Sequence, residues 1–132
     1  MQFWLLKVEP SVYPWENMIK DKITNWDGVH NHQAQKYMKS MKVDDLAFFY
    51  HTEKEKAIVG IVKIHNEYYC NDNTRFGVID VEYFKPLEKR VTLEQIKQNT
   101  NLQNMLILKQ PRLSVSSILQ REWDTILQMS TK

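Results

Sequence analysis

The chain has 132 residues, of which 42% are hydrophobic and 26% are charged, and its formal net charge is +2. This length and composition indicate one folded domain, residues 1–132, with its own hydrophobic core. The small net charge excludes the strongly basic proteins that coat nucleic acid through its phosphates alone, so any contact with nucleic acid should be local. The single cysteine, Cys70, excludes an internal disulfide.

The sequence has no apolar run near the roughly 20 residues that are needed to cross a membrane. The apolar start of the chain is too short for the core of a signal peptide with its flanks. We therefore expect a cytoplasmic protein that makes no membrane contact.

Hydrophobic periodicity and turn residues predict short strands that alternate with helices. Strands are indicated by β-branched and aromatic runs, and helices by apolar residues at i, i+3, i+4 and i+7. In chain order we expect a strand over 3–8, a short helix from Pro14 to Lys20, a helix over 31–41, strands over 46–51, 57–65 and 76–84, a helix that opens at Thr92, a strand over 113–115 and a last helix over 118–127. This order predicts an α+β fold with a curved, largely antiparallel sheet.

Local signals refine these elements. Gly60 predicts a bulge that lets the sheet curl toward a barrel, and Pro86 is expected to end its strand. Residues 71–74 have the composition of a turn. Thr92 begins a Thr-x-x-Gln capping box. Gln35 is expected to face solvent, since it lies off the apolar stripe of its helix.

The segment from Trp26 to Ala34 is the part of the sequence that best indicates function. Trp26 supplies a stacking face, Asn31 and Gln33 supply amide groups that match a nucleobase edge, and Gly28 lets the backbone approach a ligand closely. Together these residues favour a flat, polar ligand. The alternative is a tight turn with a buried tryptophan, followed by a helix that Asp27 or Asn31 caps.

Short segments in a fixed order carry a family resemblance along nearly the whole chain. They are Phe3-Trp4-Leu5, Lys7-Val8-Glu9-Pro10, Trp26-Asp27-Gly28-Val29 with Asn31 and Gln33-Ala34, Phe48-Phe49-Tyr50-His51, Val59-Gly60-Ile61, Val78-Ile79-Asp80-Val81, Val91-Thr92-Leu93, Arg112-Leu113-Ser114-Val115 and Glu122-Trp123. Each segment is weak alone, but the ordered set is specific. In this set the chain resembles the EVE domain family, a branch of the PUA-like superfold.

The resemblance implies a PUA-like β pseudo-barrel with packed helices and a pocket that receives one base extruded from nucleic acid, modified bases included. We therefore predict a nucleic-acid-binding module whose partner is RNA or modified DNA. The ligand-binding residues that we predict are Trp26, Gly28, Val29, His30, Asn31, Tyr50, His51, Arg112 and Ser114.

Several of these residues have structural alternatives. Stacking on Trp26 would contribute roughly 1–3 kcal/mol to binding of a base, but the ring could instead belong to the core. Tyr50 and His51 are expected to line the same cleft, with cross-strand packing as the alternative for Tyr50. Arg112 is expected to share a strand face with Ser114 and to pair with a phosphate or with a carboxylate such as that of Glu9.

This chain departs from the family pattern at positions that bear on the ligand. Val8 stands where the family has a serine in Lys-Ser-Glu-Pro. His30, His32 and Gln35 stand where the family has arginine, tyrosine and arginine. A neutral imidazole at His30 can stack and donate one hydrogen bond, but it cannot reproduce the fork of a guanidinium group.

The four histidines of the chain are not accompanied by a catalytic or metal-binding pattern. The sequence contains no Cys-x2-Cys pair, His-Glu-x-x-His motif, Gly-x-Ser-x-Gly elbow or phosphate loop. We therefore predict no catalysis, no metal and no cofactor. Two other functions stay open, a regulator that binds a free nucleotide or small molecule and a hydrolase of modified nucleotides.

Overall fold

The computed structural model describes residues 1–70 and 76–131, so the turn predicted over 71–74 lies outside the described residues. The strands are β1 (Phe3–Val8), β2 (Ile23–Trp26), β3 (Leu46–His51), β4 (Ala57–Cys70), β5 (Gly77–Thr92) and β6 (Val115–Ile118). The helices are α1 (Trp15–Asp21), α2 (His32–Ser40), α3 (Leu93–Gln98), α4 (Leu106–Lys109) and α5 (Gln120–Ser130), with a 3₁₀ turn at Thr100–Leu102.

The strands form one six-stranded sheet in the order β2-β5-β4-β3-β1-β6. β1 runs parallel to β3, with Phe3 opposite Leu46 and Val8 opposite His51. The other neighbouring strands pair in the antiparallel direction. The predicted α+β class and the largely antiparallel sheet are therefore confirmed.

Alternation along the strands divides the core between the two faces of the sheet. Trp4 of β1 packs on one face, together with residues of α1 and α2. Phe3 packs on the other face, where the Trp123 ring of α5 stacks with Phe3 at 4.5 Å and with Phe48 at 3.9 Å between ring centroids. Helices therefore cover both faces of the sheet.

The prediction that β5 ends at Pro86 is wrong, since the strand continues to Thr92. Pro86 lies opposite Gly60, next to a break in the register where Ile58 pairs with Val91. A proline is tolerated at such an irregularity because the ladder needs no N–H from it. The same break confirms the bulge that Gly60 predicts.

Four other elements also differ from the prediction in presence or in bounds. β2 was not predicted, and β4 continues beyond its predicted end to Cys70. β6 begins at Val115 and includes Ile118, so Arg112 and Ser114 precede the strand and the last helix begins at Gln120. The capping box is confirmed by two hydrogen bonds. The Thr92 hydroxyl accepts from the backbone N of Gln95 at 3.1 Å, and the side-chain Oε1 of Gln95 accepts from the backbone N of Thr92 at 2.9 Å.

Trp15 at the start of α1 lies directly on the backbone of Gly60. A Cβ atom added to Gly60 would overlap the six-membered ring of this indole. Trp15 also packs on Phe49, with ring centroids 4.9 Å apart. The glycine therefore lets α1 dock on the sheet. No helix within 1–70 and 76–131 is long and apolar enough to span a membrane.

We predict that Gly60→Ala lowers the free energy of unfolding by about 1–3 kcal/mol, because the methyl group overpacks a buried contact. Urea denaturation followed by circular dichroism measures this change. The double variant Gly60→Ala with Trp15→Phe should lose less free energy of unfolding than the two single variants lose together. Strict additivity of the two losses would contradict the contact.

Candidate functional site

A cleft of about 760 Å³ opens where the end of β2 meets the end of β1 and the segment before β6. This volume lies within the range of roughly 300–1,000 Å³ of small-molecule sites. Segments far apart in the sequence line the cleft: Lys7, Val8, Glu9, Val12, Tyr13, Thr24 to Val29, Thr52, Pro111, Arg112 and Ser114. The cleft is therefore a product of the tertiary fold.

Trp26, the last residue of β2, forms part of the cleft wall and part of the core. Its side chain is 7% exposed, and its ring meets that of Phe49 edge to face at 5.7 Å. Trp26 is therefore a core residue that also lies in the lining of the cleft.

The turn after Trp26 is built around Gly28, whose φ of +75° lies in the left-handed region. Apart from its two chain neighbours, no described residue has an atom within 4 Å of a Cβ built on Gly28, so the glycine is needed for its backbone conformation and not for space. Val29 follows with a buried side chain on the cleft wall. Both residues therefore line the cleft together with Trp26.

Gln35 of α2 holds this turn in place, contrary to the prediction that it faces solvent. It is 4% exposed. Its Nε2 donates to the carbonyl of Val29 at 2.8 Å and to that of Gly77 at 3.0 Å. Its Oε1 accepts from the Tyr68 hydroxyl at 2.6 Å and from the Gly77 N at 3.1 Å. The backbone N–H and carbonyl of Gly77, at the start of β5, need a partner that both donates and accepts, and the amide of Gln35 provides it. Hydrophobic periodicity along α2 does not reveal this contact.

Asn31 caps α2, which is the structural role that the sequence analysis offered as the alternative to ligand binding. Its Oδ1 accepts from the Ala34 N at 2.9 Å. Asp27, the other candidate cap, lies on the cleft wall instead. The side chain of Asn31 also lines a second recess beside the cleft.

His30 and His32 lie on the surface and not among the residues that line the cleft. Both rings lie against Phe76, with centroid distances of 5.1 Å for His30 and 5.5 Å for His32. Two of the positions that depart from the family pattern thus form an aromatic group with the residue that precedes β5.

Tyr50 and His51 also lie outside the described lining of the cleft, contrary to the prediction. Tyr50 points to the opposite face of the sheet, where burial raises its pKa to about 12. His51 accepts at Nε2 from the Trp15 N at 3.0 Å. Its Nδ1 therefore carries the proton and donates to Glu55 Oε2 at 3.0 Å. Both nitrogens of this imidazole support structure.

Arg112 and Ser114 lie on the cleft wall, but they precede β6, so the prediction that they share a strand face is wrong. Arg112 is exposed, and within the described residues it makes no ion pair, with Glu9 or any other carboxylate. Its guanidinium group is therefore available for a ligand.

Lys7 is a cleft residue that the site prediction missed, although it lies in one of the family segments. Its Nζ donates to the carbonyl of Pro111 at 2.7 Å. Burial lowers the pKa of Lys7. The ammonium group thus joins the end of β1 to the segment that carries Arg112, and it adds a second positive charge to the cleft. Among the described residues, no three His, Cys, Asp or Glu side chains group in a way that would hold a metal ion.

The mixed sheet, its packed helices and the cleft at the end of β2 define an α+β protein of the PUA-like type. The sequence model of the EVE domain matches residues 2–129. The chain belongs to the EVE domain family, and the predicted family and fold are confirmed.

Known relatives agree with this assignment. Thymocyte nuclear protein 1 of Rattus norvegicus is 29% identical in an alignment that covers 96% of this chain and 73% of the relative. The NMR structure of Rpa0253 from Rhodopseudomonas palustris has a TM-score of 0.95 and 35% identity, and the match covers 99% of this chain and 94% of that one. Human THYN1, solved in complex with DNA that contains 5-methylcytosine, has a TM-score of 0.93 and 28% identity, with coverage of 100% and 99%.

We predict that Gln35→Ala lowers the free energy of unfolding by about 2–4 kcal/mol, because buried backbone groups of Val29 and Gly77 lose their partners. Urea denaturation measures the loss. Gln33→Ala, on the same helix but exposed, is the matched control and should change stability by less than about 0.5 kcal/mol. Equal effects of the two substitutions would contradict the role of Gln35.

Proposed function

We propose that residues 1–132 act as a nucleic-acid-binding module that holds a single base in the cleft beside Trp26. DNA that contains 5-methylcytosine is the first candidate partner, and RNA is the second. One observation carries the proposal. The cleft belongs to a chain that matches, at a TM-score of 0.93, human THYN1 in complex with DNA containing 5-methylcytosine.

The chemistry of the cleft wall supports one base as the ligand. Each base has a flat π-face that gains roughly 1–3 kcal/mol by stacking on an aromatic ring. Thr24 and Asp27 lie near Trp26 on the same wall, and their polar groups can test a base edge. Val8 and Val12 supply apolar surface, against which a methyl group would contribute on the order of 1 kcal/mol.

Of the residues predicted from the sequence, the proposal assigns base contacts to those on the cleft wall. These are Trp26, Gly28, Val29, Arg112 and Ser114, and Lys7 joins them. His30, Asn31, Tyr50 and His51 are left out because the described lining of the cleft does not include them. Extrusion of the base costs a few kcal/mol, and the cost is smallest in single strands.

We propose that binding involves no catalytic step. His51 directly precedes the cleft residue Thr52. Both of its ring nitrogens are already used in hydrogen bonds to Trp15 and Glu55. It therefore has no nitrogen free to act as a general base. The cytoplasm is the compartment proposed for this chain, although one relative, thymocyte nuclear protein 1, is named as a nuclear protein.

The proposal is tested with fluorescein-labelled DNA and RNA oligonucleotides that carry one central cytosine, methylated or plain. Fluorescence anisotropy at low salt should show a dissociation constant below millimolar and about fivefold tighter binding of the methylated base. Because Lys7 and Arg112 are the cationic residues of the described cleft wall, log K against log salt should have a slope of only about −1 to −2. Absence of binding to every oligonucleotide would overturn the proposal.

The role of Trp26 has a matched control in Trp123, which is 3% exposed in the core on the opposite face. Trp26→Leu keeps apolar volume but removes the stacking face, and it should weaken binding by about 1–3 kcal/mol. Trp123→Leu should leave binding unchanged. Both variants are first shown to be folded by circular dichroism at the assay temperature. Equal losses of affinity would contradict the assignment.

A further inference from the structure

A second recess, of about 370 Å³, lies beside the cleft. Its lining consists of Asn31, Gln33, Gln110, Pro111, Arg112 and Leu113. Pro111 and Arg112 belong to both cavities. The two spaces are therefore neighbours across the side chain of one exposed arginine.

The recess differs from the cleft in charge. The cleft wall carries two carboxylates, Glu9 and Asp27, which offset the charges of Lys7 and Arg112. The described lining of the recess carries the positive charge of Arg112 and no carboxylate. Of the two cavities, the recess is thus the better electrostatic environment for an anion.

Amide groups in the recess are available as hydrogen-bond donors. The Oδ1 of Asn31 is taken by the Ala34 N, which leaves its Nδ2 amide to donate. The side chains of Gln33 and Gln110 make no hydrogen bond within the described part of the chain. Together with the guanidinium of Arg112, these groups can donate to the oxygens of a phosphate, and charge-assisted bonds of this kind are stronger than neutral ones.

We infer that the recess binds a phosphodiester group of the nucleotide next to the base held in the cleft. The inference rests on the proposed function, because it needs a base beside Trp26. Arg112 lies between the base and the phosphate and contacts both. The consequence is a preference for a polymer over a free nucleoside, since a nucleoside fills the cleft but leaves the recess empty.

The test compares free 5-methyl-2′-deoxycytidine with a DNA trinucleotide whose central base is 5-methylcytosine, by isothermal titration calorimetry. The wild-type chain should bind the trinucleotide about tenfold more tightly, as expected for hydrogen bonds to a charged group. Gln33→Glu places a negative charge in the recess and should remove about this tenfold gain while leaving nucleoside affinity unchanged. The change does not threaten α2, because acidic residues in the first turn stabilise a helix.

Gln128→Glu is the matched control. It makes the same charge change at an exposed residue of α5, on the helix that covers the opposite face, and it should alter neither affinity. Arg112→Gln should reduce the salt slope for the trinucleotide by about one.

Each outcome separates the two proposals. If the wild type binds both ligands equally, or if Gln33→Glu and Gln128→Glu act alike, the recess does not bind phosphate and the base pocket stands. If the wild type binds neither ligand, both proposals are overturned.

Discussion

The amide of Gln35 fixes the turn on which the cleft depends. One side chain joins α2 to the carbonyl of Val29, to both backbone groups of Gly77 and to the hydroxyl of Tyr68. A glutamine can do this because its amide both donates and accepts. An arginine, which the family pattern has at this position, only donates and could not accept from Gly77 or Tyr68. The turn that carries Gly28 is thus held by a contact that differs from the family pattern.

Aromatic residues on the two faces of the sheet have different roles. On one face, the Trp123 ring stacks between Phe3 and Phe48 and anchors α5. On the other face, Trp26 reaches the cleft through a ring that also packs on Phe49. The tryptophan that reaches the cleft and the tryptophan that anchors α5 therefore lie on opposite faces, so Trp123 can serve as the control for Trp26.

Sequence patterns predicted well those elements whose signals are local. The strand over 3–8, the helix that Asn31 caps and the capping box at Thr92 each depend on residues a few positions apart. β2 was missed because it has four residues, lies at the edge of the sheet and buries only Trp26 fully. Pro86 misled because its tolerance depends on a register break opposite Gly60, which belongs to a different strand.

The sequence alone determined the family, the class of fold and the segment around Trp26 as the centre of interest, because ordered motifs and hydrophobic periods are written along the chain. Tertiary structure decided which side chains meet there. It brought Lys7 and Arg112 to the cleft, placed Tyr50 and His51 elsewhere and buried Gln35. These outcomes depend on strand register and on backbone groups left unpaired at element ends, which are properties of contacts between distant segments.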